Sequence, residues 1–145
     1  RPFTYRQLAE KIADMLEVGR TGRLLLVEDD PTVRMFASEA LVGAGYAVDE
    51  AASSAEALSR VRAARGRYDA IVLDARLPDR AGEGLAVELR AMHADMPILI
   101  VSGEHADALV ERFAGDRCTT VIAKPYNAAT LTKALQDLGI RCRQG

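Results

Sequence analysis

The sequence carries little net charge, few cysteines and no long hydrophobic run. Its formal charge of −2 gives no basis for a nucleic-acid-binding surface. Its longest apolar runs are a few residues, far below the roughly 20 that cross a bilayer, and the opening residues do not read as a secretory signal. A cytoplasmic location without membrane contact is therefore expected for this stretch. The two cysteines, Cys118 and Cys142, stand far apart and fit no metal-ligand spacing. They are read as reduced thiols without a function. What is present is an ordinary globular mixture, 49% hydrophobic and 28% charged over 145 residues, enough for one domain with a single core.

Residues 68–82, YDAIVLDARLPDRAG, organise the chain. Ala70, Ile71, Val72 and Leu73 run together and stop at Asp74, the pattern of a strand buried on both faces. Pro78 bars its predecessor from the helical region, so the chain turns there. Asp74 thus ends a central strand at the mouth of a loop, the edge at which open α/β sheets bind ligands.

Four other apolar stretches read as strands: residues 24–27, 46–51, 97–101 and 119–123. Helices are predicted between and after them. Pro31 suits a first helical turn, and the helix it opens runs to about Val42. Ser53 or Ser54 caps a helix ending near Ala64. Helices follow over residues 82–93 and 106–114. Asn127 caps a last one, which Gly139 ends near Leu138. Asp30 reads as a helix cap rather than a ligand. Strand and helix alternate five times, which implies a parallel sheet with helices on both faces and right-handed crossovers. Such a sheet collects the ends of its strands, Glu28, Asp29, Asp74, Ser102 and Lys124, at one edge.

Residues 1–16 form a predicted helix capped by Thr4, with Leu8, Ile12 and Met15 on one stripe. The two ends of the chain resemble each other. Arg1-Pro2-Phe3-Thr4 answers Lys124-Pro125-Tyr126-Asn127, and Leu8, Ile12 and Met15 answer Leu131, Leu135 and Leu138 at the same offset. Residues 1–22 are therefore read as the tail of a preceding domain of the same kind plus a linker, and 23–141 as the domain that follows. The apolar stripe of the first helix would pack on this domain or on a second copy, as a homodimer.

Three carboxylates brought together at Glu28, Asp29 and Asp74 would repel and force one to protonate. A divalent cation removes that conflict, and hard oxygen ligands at an open site favour Mg²⁺. With the Lys124 ammonium added, the site balances to zero formal charge and can receive a phosphoryl group. Asp74, on the central strand, is the natural nucleophile, and Ser102 can donate a hydrogen bond to an arriving phosphoryl oxygen.

These motifs, Val27-Glu28-Asp29-Asp30-Pro31, Leu73-Asp74 with Leu77-Pro78 and Gly82, Ile100-Val101-Ser102-Gly103 and Lys124-Pro125-Tyr126, resemble the receiver domain of two-component response regulators. The resemblance covers residues 23–138. It implies a flavodoxin-like doubly wound fold, five parallel strands in the order 2-1-3-4-5 with five helices, beside the extra N-terminal helix. It also implies phosphorylation of Asp74 by a histidine kinase or histidine phosphotransfer protein. Mg²⁺ would be held by Asp29, Asp74 and the Arg76 backbone carbonyl, with Glu28 acting partly through water. Ser102 and Lys124 would contact the phosphoryl group. The parent chain would be a tandem-receiver protein or a hybrid histidine kinase. Enzymatic activity is left open beyond a receiver's promotion of its own phosphorylation and dephosphorylation.

Two departures from the family pattern stand out. Val121 occupies the position where an aromatic switch partner of Ser102 is usual, which leaves the form of the conformational response open. Arg76 places a long cation two residues after the nucleophile, where it could shield an acyl phosphate from water. A phosphohydrolase passing through an aspartyl-phosphate generally needs a second acid at that position, so Arg76 argues against that reading. The intact acid pair and lysine argue against a pseudo-receiver that only binds partners. The short stretch after Leu138 leaves output to a protein partner or to the rest of a larger chain.

Overall fold

The computed structural model describes residues 22–144. The expectations for residues 1–16, including a preceding receiver-like tail and a homodimer contact, lie outside the described residues. The chain runs β1 (Arg23–Val27), α1 (Pro31–Gly43), β2 (Ala47–Ala51), α2 (Ser54–Ala63), β3 (Ala70–Asp74), α3 (Gly82–Met92), β4 (Ile98–Ser102), α4 (Ala106–Arg112), β5 (Thr119–Ala123) and α5 (Ala128–Arg143). All strands are parallel in the order β2-β1-β3-β4-β5. This is the predicted doubly wound fold with five helices.

Strand alternation divides the core into two layers. Leu25, Val27, Ile71, Leu73, Ile98 and Ile100 face α2, α3 and α4, where they meet Ala57, Val61, Leu85, Leu89 and Leu109. Leu24, Leu26, Val72, Leu99 and Val101 face α1 and α5, where they meet Ala37, Leu41, Leu131, Leu135 and Leu138. Both faces of β3 and β4 are buried along their whole length, which is why their sequences are continuous apolar runs rather than alternating ones. Asp30, Ser53 and Asn127 cap α1, α2 and α5 through their side chains. Gly82 is required where α3 starts, because a Cβ there would overlap the Asp74 carbonyl oxygen.

Two expectations are corrected. Cys118 and Cys142 are not separate thiols: they form a disulfide, with Cα atoms 4.5 Å apart. The fold brings the last turn of α5 beside the start of β5, a juxtaposition hidden by the 24 residues between them. The two cysteines therefore give no support to a reducing compartment. The last helix also does not stop at Gly139 but continues to Arg143. Glycine inside a helix costs about 1 kcal/mol relative to alanine. Contacts beyond it offset that cost: the Arg141 side chain donates to the Arg117 and Thr119 carbonyls at 3.0 Å each and to the Thr120 hydroxyl, and Cys142 is bonded to Cys118. Among the described residues, no helix is long and apolar enough to cross a membrane.

Candidate functional site

The carboxyl ends of β1, β3, β4 and β5 converge as their parallel registers require. Glu28 follows β1 directly, and its amide donates to the Ala51 carbonyl at the end of β2, 2.9 Å away. Asp74 is the last residue of β3, buried, with Val101 opposite on β4. Ser102 ends β4, and its carbonyl accepts from the Lys124 amide at 2.8 Å. Glu28, Asp29 and Asp74 each offer a carboxylate oxygen within 4.8 Å of the others. Lys124 Nζ lies 2.7 Å from Asp74 Oδ2 and 3.9 Å from Glu28 Oε1.

This cluster holds more negative charge than one ammonium group can neutralise. Burial, and then the Asp74 carboxylate beside it, push the Glu28 carboxyl up to about 8. Burial also works to raise Asp74, but the hydrogen bonds from Glu28, Lys124 and the Arg76 amide outweigh it and hold Asp74 below its ordinary value. Burial works to lower Lys124, yet its bond to Asp74 and the two carboxylate charges raise it. One acid keeps a proton while its neighbour stays ionised against the lysine, the pattern of groups forced into too little space.

The other expected site residues are placed as follows. Asp29 is exposed at the rim, and its carboxylate joins the cluster. The Arg76 amide donates to Asp74 Oδ1 at 2.8 Å, which keeps that stretch of backbone beside the cluster. The Arg76 side chain instead reaches outward, with its guanidinium 3.9 Å from Glu104. The buried Ser102 hydroxyl donates to the Glu104 carbonyl. Asp30 caps α1 by accepting from the Thr32 and Val33 amides, outside the cluster. Val121 is half-buried on β5 and packs against the core layer facing α4.

Sequence reasoning missed Arg34. From α1 it donates to the Glu28 carbonyl at 2.8 Å and to the Asp29 carbonyl at 3.4 Å, while pairing with Glu50 at 3.0 Å. It therefore pins the backbone of the loop that carries both acids. A signal was available: a cation near the start of a helix opposes the helix dipole and needs another reason to be there. A cavity of about 970 Å³ opens at the opposite, amino edge of the sheet, lined by Leu24, Tyr46, Ala70, Leu135 and Ile140 among others. It is remote from the clustered carboxylates, so chemistry rather than size identifies the site.

Comparison with known proteins agrees with this geometry. Residues 24–136 match the family model described as response regulator receiver domain. The chain is 33% identical over 129 residues to the sensor kinase CckA of Brucella abortus, covering 89% of this chain and 14% of that protein. It is 34% identical over 111 residues to the two-component response regulator ORR41 of Oryza sativa subsp. japonica, covering 75% of this chain and 87% of that one. Among solved structures, a receiver domain from hybrid histidine kinase CckA superposes with a TM-score of 0.68 at 29% identity, covering 81% of this chain and 98% of that one. Response regulator TrrA of Thermotoga maritima, solved with Mg²⁺ and BeF, superposes with a TM-score of 0.70 at 29% identity, covering 80% of this chain and 97% of that one. Four strand ends carrying three acids, a hydroxyl and a lysine, on a 2-1-3-4-5 sheet, thus meet a family match across most of the sequence: the chain belongs to the response regulator receiver domain family.

Proposed function

We propose that this domain is the phosphoacceptor of a two-component phosphorelay, modified at Asp74 in a Mg²⁺-dependent reaction with a histidine kinase or histidine phosphotransfer protein. The observation that carries the reading is the 2.7 Å contact between Lys124 Nζ and the buried Asp74 carboxylate, inside a cluster of three acids. In the reaction an Asp74 oxygen forms a bond to phosphorus as the phosphorus–nitrogen bond of the donor phosphohistidine breaks. The leaving electron pair goes to the imidazole. Lys124 faces the oxygen side of the acceptor and stabilises charge on the phosphoryl group, and Ser102 donates to it once its hydroxyl leaves Glu104.

The donor set suits Mg²⁺: hard carboxylate oxygens at an open rim, one of them driven by burial and by the neighbouring Asp74 carboxylate to keep a proton. Asp29, Asp74 and the Arg76 carbonyl would hold the ion, with Glu28 acting partly through water. When bound, the ion supplies positive charge to the phosphoryl oxygens. Phosphorylation replaces one negative charge by about two, and a protein partner reads the altered surface. With Val121 in place of an aromatic side chain, that response does not run through an aromatic rotamer at this position.

Two experiments test the reading. A small acyl phosphate should phosphorylate the protein with Mg²⁺ present, and the rate should collapse when the metal is chelated; equal rates would contradict the proposal. Arg76, beside the nucleophile, is proposed to shield the acyl phosphate from water. Arg76→Ala should shorten the phosphoryl lifetime several-fold, and an unchanged lifetime rejects that role. The chain spans 14% of the sensor kinase it matches. A place for this domain in a hybrid kinase or a tandem-receiver chain, with residues 1–22 as the end of a preceding unit, accordingly stands as a proposal.

A further inference from the structure

Asp79 sits in the loop between β3 and α3, five residues past the proposed nucleophile. Its carboxylate leaves its own helix uncapped: Ala81, the residue before α3, offers no side-chain cap. It turns instead to the start of α2. It accepts from the Ser54 amide at 3.0 Å, the Ser54 hydroxyl at 2.8 Å and the Ala55 amide at 3.0 Å. The hydrogen bond from the Ser54 amide leads the causes that hold this carboxyl down at about 2, so it is ionised at any working pH.

This junction ties the loop after Asp74 to the start of α2, which is joined in turn to the stretch that carries Glu28. On one side, Asp79 belongs to the segment closed by the Gly82 amide on the Ala75 carbonyl at 2.9 Å and by pairing of Arg76 with Ala81. That segment carries Asp74 and the Arg76 backbone. On the other side, α2 follows directly from β2, whose last residue, Ala51, accepts the Glu28 amide. A continuous path thus runs from Asp74 through Arg76, Asp79, Ser54 and Ala51 to Glu28. We infer that Asp79 is a positioning residue: by tying the β3–α3 loop to α2 it sets the spacing between the Asp74–Arg76 and Glu28–Asp29 halves of the metal cluster. This inference rests on the reading of the cluster as a Mg²⁺ site.

The test is Mg²⁺ affinity by titration calorimetry on the unphosphorylated protein, with amide hydrogen exchange of the metal-free protein alongside. Asp79→Ala should weaken Mg²⁺ binding about tenfold, the low end for partners outside the ligand shell. It should also speed exchange in residues 52–55 and 75–81 together. Asp79→Asn, which keeps one acceptor oxygen, should fall between and serves where the alanine variant does not fold. Ser54→Ala should weaken binding less, and adding it to Asp79→Ala should bring no further loss, because both act through one contact. Asp107→Ala, which removes an exposed acid from the first turn of α4, controls for charge alone. Wild-type affinity in Asp79→Asn and Asp79→Ala, an effect matched by Asp107→Ala, or additive losses would overturn the inference. A wild-type protein that fails to bind Mg²⁺ would instead sink the metal-site reading beneath it.

Discussion

The two edges of the sheet handle charge in opposite ways. Toward the amino edge the half-buried charges of Asp49 and Arg90 are matched by partners. Asp49 accepts from the Tyr68 hydroxyl at 2.7 Å and from Arg23 at 2.9 Å. Arg90 spreads its donors over Asp116, Thr119 and the carbonyls of His93, Ala94, Met96 and Cys118. The Cys118–Cys142 disulfide then ties the end of α5 beneath that network. At the carboxyl edge three carboxylates crowd beside one lysine, and burial, then the Asp74 carboxylate, push Glu28 up to about 8. The same backbone architecture therefore carries one edge built for stability and one left short of positive charge. A site short of positive charge is one that a metal ion can complete, and the ion can then face the oxygens of a phosphoryl group.

Breaking the amino edge should cost stability and spare chemistry. Closing a 24-residue separation with a disulfide contributes about 3 kcal/mol in the chain-entropy account. Replacing both cysteines by serine should lower the melting temperature by about 10 °C, measured by circular dichroism, while leaving Asp74 phosphorylation rates within about twofold. A large loss of phosphorylation in a folded variant would show that the edges are coupled.

Breaking the carboxyl edge should behave differently, because an added ion can repair it. Lys124→Met leaves the buried Asp74 carboxylate without its ammonium partner and should destabilise the metal-free protein by about 2 kcal/mol. Millimolar Mg²⁺ should recover most of that loss in denaturant titrations, whereas it should not rescue the cysteine variant. Equal rescue of both would erase the distinction.

The smallest effect sharpens the picture of the amino edge. Burial, and then the bond to Asp49, push the Tyr68 phenol up to about 12, above its ordinary 10.0. The native state therefore keeps a proton that the unfolded chain releases, and stability falls as pH rises from 10 through 12. Tyr68→Phe should cost about 1 kcal/mol at neutral pH. It should also flatten the alkaline loss, so that variant and wild type converge or cross in unfolding experiments above pH 10. A pH-independent gap would mean that the phenol titrates normally.

Much of this was legible in the sequence, for identifiable reasons. Buried strands in a parallel sheet must be apolar on both faces, so the runs at 70–73 and 98–101 announced themselves. A parallel sheet must also gather its strand ends, so Glu28, Asp29, Asp74, Ser102 and Lys124 could be assigned to one edge without coordinates. Caps at Asp30 and Asn127, and one at Ser53 or Ser54, were readable because a cap acts within a few residues. What escaped depends on contacts between distant segments. Gly139 carries a local stop signal that Arg141 and Cys142 overrule through partners outside the helix. Cys118 meets Cys142, and Asp79 meets Ser54, only after the sheet has formed. Even the Ser102 hydroxyl, correctly placed at the edge, is turned to the Glu104 carbonyl by a local preference that the pattern of residues does not reveal.

The central claim is that the carboxyl edge accepts a phosphoryl group on Asp74. Intact-protein mass spectrometry after incubation with acetyl phosphate and Mg²⁺ tests it most directly, with Asp74→Asn as the comparison. The account predicts a gain of one phosphoryl group in the wild type and none in the variant. No gain in the wild type, or the same gain in both proteins, would contradict it.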